Sequence, residues 1–372
     1  MMKSISDIID RNYGSVIIDL KKITLIPSPP FKEEKRISFL KNRLEALGYK
    51  DAEIDKVGNL RLTIKGKSPQ ILVFSAHVDT AFPKGTKLEI KEDKDTIACP
   101  GICDDAMGIA ALLCLAGYIK ENNIIPKNDT ILLFNVGEEA PGNLRGIRHF
   151  FDSTPKDRIK AHICIEGHMS GRLTKKVVGS HRTDITLRGK GGHSWRDSDT
   201  PNTIVKASAL IQHLASMNLP KDPKTTLNIG TIKGGTSVNS IPEEVTFSLE
   251  IRSLDQDIIE TLKDDIASLI SGMRKSGLAI ETAILDERPA GEMKERWLID
   301  LIKDIHTDLG IKTIDDIGST DSNYPVSLGL PSVTIGITDA KGTHSKDEYL
   351  YKAPIRTGIK QLVMIFHALQ EI

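Results

Sequence analysis

The chain has 372 residues, 39% of them hydrophobic and 27% charged, with 50 basic side chains against 50 acidic ones. That length is comfortable for two domains and leaves ample core without metal or disulfide staples. Zero formal net charge offers no electrostatic footprint for nucleic acid or an anionic surface, and four cysteines without a Cys-x-x-Cys pair fit a reducing, cytoplasmic setting.

The opening segment mixes acidic with apolar residues and reads as a helix, not a leader. Apolar positions from Ile5 to Ile23 recur at helical spacing up to Pro27. A second helix follows Pro30, with Ile37, Leu40, Leu44 and Leu47 on one stripe and Gly48 as its stop. Ala52–Asp55 and Leu60–Lys65 are short strands around Gly58-Asn59. Gln70–Ser75 suits a strand buried on both faces, and it ends in His77, Val78 and Asp79. A charged hairpin comes next, then an apolar helix over Ala106–Lys120 behind Cys103, Asp104 and Asp105. Asp129–Val136 is a further buried strand that runs into Glu138 and Glu139, Asn143–Phe151 is helical, and the buried strand Ala161–Ile165 runs into Glu166. No apolar run reaches membrane-spanning length.

Near Gly179 the texture changes. His181–Gly189 alternates apolar and polar residues, as a strand with one wet face does. The order that follows is helix (Asn202–Met217), strands (Thr226–Ile232, Glu243–Arg252), helix (Gln256–Ser276) and strand (Leu278–Asp286). With the first strand this is the split βαβ, ferredoxin-like arrangement. The first texture then returns, with a helix at Lys294–Leu309, a buried strand at Ser332–Ile337 and a helix at Ile355–Gln370. The pattern predicts a mixed-sheet α/β domain over 1–178 and 288–372, interrupted by an inserted α+β domain over 179–287.

Acidic and imidazole groups thus collect at the ends of buried strands or just beyond: His77, Asp79, Asp104, Asp105, Glu138, Glu139, Glu166 and the later His344. Each alone has a plainer reading, such as a helix cap for Asp104-Asp105 or a solvated turn for Glu138-Glu139. Together at one sheet edge they would repel unless neutralised. Two divalent cations about 4 Å apart would do so, sharing one carboxylate and activating a water, with a spare carboxylate for proton transfer. Imidazole and carboxylate donors suit zinc first, then cobalt or manganese. His213, His306 and His367 lie on helix faces and read as packing or surface residues.

The segments SAHVDT, GICDDAMG, NVGEEAPG, ICIEG and GTHSKDE, with GKGGHSW and GGTSVNSIPEEVTFSLEIRS in the insert, resemble the dinuclear-zinc exopeptidase and deacylase family. Members include tripeptidases, carboxypeptidases, acetylornithine deacetylase and aminoacylase. The resemblance runs through nearly the whole chain. It implies that Asp104 bridges two metals, that His77 and Glu166 complete one, and that Glu139 and His344 complete the other. Glu138 would be the general base and acid, Asp79 would orient His77, and the Asp104-Asp105 bond would be cis. The insert would be a lid and homodimerisation module, with His193 reaching the partner's site to stabilise the oxyanion. Asn239, Arg252 and Ser319 would bind the substrate's polar groups and carboxylate.

The implied function is metal-dependent hydrolysis of an amide in a small peptide, with an N-acyl amino acid as the alternative substrate. A catalytically silent binding protein is the remote third reading. Two departures stand out. Cys103 precedes the bridging position, where a non-thiol is usual, and reads best as a packed small residue. Glu166 goes with carboxypeptidases and deacylases, whereas GTSVNSIP and GSTDSN lean towards tripeptidases, and the sequence leaves that choice open.

Overall fold

The computed structural model describes residues 2–274 and 278–372. Lys275 and Ser276, the expected end of the helix over 256–276, lie outside them, and so does the side chain of Ile5. The chain divides into two compact units, Met1–Val177 with Glu292–Ile372, and Val178–Gly291.

The first unit is built on a nine-stranded mixed sheet. Its middle runs Leu60–Ile64, Asn128–Asn135, Ser68–His77, Ile159–Glu166, Ser332–Gly336, Arg172–Val177. Ser68–His77 is parallel to both neighbours, and Ser332–Gly336 is parallel to Ile159–Glu166. Strand alternation divides the apolar residues between two cores. Leu72, Phe74 and Ala76 join a large cluster with the helices Met2–Thr24, Met107–Glu121 and Ile355–Glu371, while Ile71 and Val73 meet Ile147, Phe150 and Phe151 from helix Arg145–Ser153. Burial on both faces explains why these strands read as unbroken apolar runs.

Register brings the strand ends level. His77 is opposite Asn135, and Glu166 opposite Gly336. Open parallel sheets place their crevice at this edge. The stretch Ile102–Glu121 is long and apolar enough to cross a membrane, contrary to the sequence expectation, but 94% of its most apolar window is buried in the fold. A helix apolar on every side is what a central core position requires.

The second unit carries a four-stranded antiparallel sheet in the order Thr225–Gly234, Glu244–Ser253, Gly179–Arg188, Ala279–Arg288. Helices Thr203–Ala215 and Gln256–Arg274 cover one face through Leu210, Leu214, Ile259 and Ile266, packed on Ile185, Phe247 and Leu249. The order strand, helix, strand, strand, helix, strand is the split βαβ unit.

Candidate metal centre

Four loops at the carboxyl edge of the large sheet converge in the first unit. The strand Ser68–His77 delivers His77, which is 1% exposed. The segment before helix Met107–Glu121 leaves helical geometry at Asp104 (φ −118°, ψ 94°) and delivers it to the same place. The Asp104–Asp105 bond is cis, as the resemblance implied. Glu138 and Glu139 follow the strand Asn128–Asn135, and Glu166 closes the strand Ile159–Glu166; all three are buried.

Asp104 sits at the centre. Its Oδ1 lies 2.8 Å from His77 Nε2, and its Oδ2 lies 3.0 Å from His344 Nε2. His344 Nε2 is also 3.0 Å from Glu139 Oε1, yet that oxygen has no hydrogen-bond partner of acceptable geometry. Among the described residues two donor groups form. The ligand atoms of His77, Asp104 and Glu166 lie within 4.8 Å of one another, and so do those of Asp104, Glu139 and His344. Asp104 belongs to both. Buried carboxylate oxygens, one of them unpartnered, together with the buried His77 and the exposed His344 at this spacing fit two cations sharing one carboxylate.

The electrostatics agree with that fit. Burial works to raise Asp104, but the His344 and His77 imidazoles outweigh it and hold the carboxyl well below its usual range. Burial pushes Glu139 up and Asp105 well up. Burial also works to raise Glu166, and His168, whose Nε2 is 3.4 Å from Glu166 Oε2, reverses it. Opposed shifts inside one small cluster mark an acidic site short of positive charge.

Two neighbouring carboxylates hold the frame. Asp105 accepts the backbone N–H groups of His77 (3.2 Å), Gly108 (3.1 Å) and Gly167 (2.9 Å). Asp79 meets His77 chiefly through its main chain. His77 Nδ1 is 3.0 Å from the main-chain oxygen of Asp79 but 3.8 Å from its carboxylate. The carboxylate instead accepts the N–H groups of Glu138 (3.0 Å) and Glu139 (2.7 Å). The strand turns at Val78, so the side chain of Asp79 aims at the next loop and its carbonyl at the imidazole. A tautomer with the proton on Nδ1 and Nε2 free as a ligand follows from that carbonyl contact.

Cys103 is fully buried, its thiol donates to Glu348 Oε1 at 2.9 Å, and burial holds its pKa well above the ordinary value. It is a packed donor and not a nucleophile. Ser319 lies half-buried in the loop after strand Ile314–Gly318. His168 and Glu348 escaped the sequence reading, and Asp105 was read only as one of the strand-end acidic groups, without its three backbone partners. A pattern of strand ends could have flagged His168, two residues past Glu166, but nothing local marks Glu348.

His193, Asn239 and Arg252 belong to the second unit. His193 pairs with Ser240 in a short two-stranded antiparallel sheet, and its Nδ1 accepts the Trp195 N–H at 3.2 Å. Asn239 is exposed, with its main-chain oxygen taking the Ser194 N–H at 3.0 Å. Arg252 lies on strand Glu244–Ser253 and pairs with Glu250 at 2.9 Å.

Residues 59–208 match the model of peptidase family M28, and residues 176–276 match the peptidase dimerisation domain. An N-acetyldiaminopimelate deacetylase of Bacillus velezensis is 26% identical over 67% of this chain and 68% of its own. A solved tripeptidase of Staphylococcus aureus superposes with a TM-score of 0.78 at 22% identity, covering 96% of this chain and 98% of that one. A dinuclear metal-binding peptidase of Bacillus subtilis gives a TM-score of 0.71 at 15% identity, covering 97% and 99%. At these identities the two superpositions show the fold. The two matched domains and the deacetylase relative are consistent with the exopeptidase and deacylase family that the sequence motifs resemble.

Proposed function

We propose that this chain is a two-metal hydrolase that cleaves the amide of a small peptide or an N-acyl amino acid. The observation that carries the reading is buried Asp104 shared between two donor groups, of whose members only His344 is exposed. His77 and Glu166 would complete one metal and Glu139 and His344 the other, with zinc favoured by the mix of imidazole and carboxylate donors. When bound, the metals would supply Lewis-acid polarisation of the scissile carbonyl and an acidified water.

The chain's own groups account for the rest. Glu138 would take a proton from the attacking water as the C–O bond forms, then return it to the amine nitrogen as the C–N bond breaks. Asp79 would hold Glu138 and Glu139 in place through their backbone N–H groups. In the second unit, the acceptor role of His193 Nδ1 puts the neutral ring's proton on Nε2, a donor suited to a developing oxyanion. We assign Asn239, Arg252 and Ser319 to the substrate's polar groups and carboxylate, the inserted domain to a homodimer interface, and the protein to the cytoplasm.

Likeness to a solved tripeptidase supports a peptide substrate, and likeness to a deacetylase supports an N-acyl amino acid. A panel of dipeptides, tripeptides and acetyl or succinyl amino acids, assayed on the zinc-loaded protein, decides between them. A metal-replete protein inert on the whole panel would refute the enzyme reading.

A further inference from the structure

One buried carboxylate at the centre has no part in the chemistry above. Glu348 is fully buried four residues after His344. Its Oε2 accepts the Gly101 N–H at 2.9 Å. Its Oε1 accepts the Cys103 N–H at 2.8 Å, the Cys103 S–H at 2.9 Å and the Asp104 N–H at 3.2 Å. Three of the four donors are backbone groups of the loop that presents Asp104. Among the described residues Glu348 makes no ion pair.

An ionised carboxylate costs several kcal/mol to bury unless its lone pairs are filled. Here they are filled by the loop itself. The main chain adds to the tie: Cys99 N–H donates to the Glu348 carbonyl at 3.1 Å, and strand Thr96–Ala98 pairs with Tyr349–Tyr351. Gly101 has φ 76°, and a Cβ there would lie 2.9 Å from Thr80 Cγ2. The loop therefore has a left-handed turn at its start and a carboxylate clamp along its length.

We propose that Glu348 is a positioning residue of the metal centre: it locks the Asp104 loop to the His344 loop, so that the shared ligand is aimed before any metal arrives. This rests on the two-metal reading. Outer carboxylates that orient metal ligands typically govern affinity by 10–100-fold. Glu348→Gln keeps the shape but removes the charge and turns an NH2 towards at least one backbone N–H donor, so it weakens the clamp with little change in volume.

The test compares wild type, Glu348→Gln and Cys103→Ala by chelator competition for zinc, by the visible spectrum of the cobalt(II) form, and by kcat and KM. We expect Glu348→Gln to bind zinc about 10–100-fold more weakly, to shift the cobalt spectrum, and to lose kcat more than KM. Cys103→Ala, lacking only the thiol contact, stays within about threefold. Amide hydrogen exchange on the metal-free wild type gives a second readout that does not need the variant to fold. Gly101, Cys103 and Asp104 are expected to be protected there. Wild-type zinc affinity and spectrum in a folded Glu348→Gln protein would overturn the proposal, as would free exchange of those amides without metal. If wild type binds no metal at all, the two-metal reading falls and this inference with it.

Discussion

Asp104 and His344 stand 240 residues apart in the chain, and their side chains meet at 3.0 Å. His77 reaches the other oxygen of the same carboxylate at 2.8 Å. Everything proposed for this protein depends on that shared oxygen pair. Asp104→Asn keeps the volume and removes the charge that both donor groups use. Zinc affinity should fall by at least about 100-fold, and metal analysis after dialysis should find both metals depleted together. Loss of one metal with the other retained would contradict a shared ligand.

Glu138 carries the proton work in this account. Glu138→Gln should lower kcat by roughly 10²–10⁴-fold, the range for a lost general base. Its metal content should remain that of wild type, since Glu138 lies outside both donor groups. Steady-state kinetics with parallel metal analysis checks both halves. Near-normal kcat in a metal-loaded Glu138→Gln protein would move the role to another group.

Asp79 makes a prediction that separates two roles. If its carboxylate oriented His77 directly, Asp79→Asn would loosen the metal. The geometry instead has that carboxylate accepting the Glu138 and Glu139 N–H groups. Asn places an NH2 against one of those donors, a cost of roughly 1–3 kcal/mol for a buried unmet group. Denaturant unfolding should show that loss and kcat should drop, while the His77 carbonyl contact keeps zinc bound. Zinc lost in proportion to kcat would favour the direct role.

His162 gives a pH dependence remote from the metal centre. It is fully buried between Ser75 and Ser332 hydroxyls at 2.7 and 2.8 Å, and burial pushes its pKa down from 6.5 to about 3. The unfolded chain therefore binds a proton that the folded one refuses between those values. Stability from the neutral ring is complete above pH 6.5 and is lost as pH falls towards 3, by up to about 1.4 kcal/mol per unit. Unfolding at pH 7 and pH 4.5 should differ by about 2–3 kcal/mol less in His162→Gln than in wild type. Equal differences would contradict the assignment.

Much of the fold was legible because its signals are local. Gln70–Ser75 is apolar throughout, since Leu72 and Phe74 face one core and Ile71 and Val73 the other. The strand ends then flagged His77, Glu139 and Glu166 by position alone. The strand Arg172–Val177 and its parallel neighbour Ile314–Gly318 went unread. Both are short and rich in polar residues: the first buries Arg172 and Thr174 beside Leu173 and Val177, and the second exposes Ile314 and Ile317, so neither shows an apolar run or a clean alternation. Glu348 was illegible for a different reason. A glutamate in a charged loop looks solvated until the loop holding Asp104, 244 residues earlier, is folded against it. The contacts of the Asp79 carboxylate with the Glu138 and Glu139 N–H groups were not legible, because strand periodicity says nothing once the strand has turned.

The most direct test of the account removes and restores the metal. The protein is treated with a chelator, dialysed, and titrated with zinc while hydrolysis of the peptide and N-acyl amino acid panel is followed. The account predicts no turnover in the metal-free protein and recovery that is complete at two zinc ions per chain. Full activity in a verified metal-free preparation would contradict it.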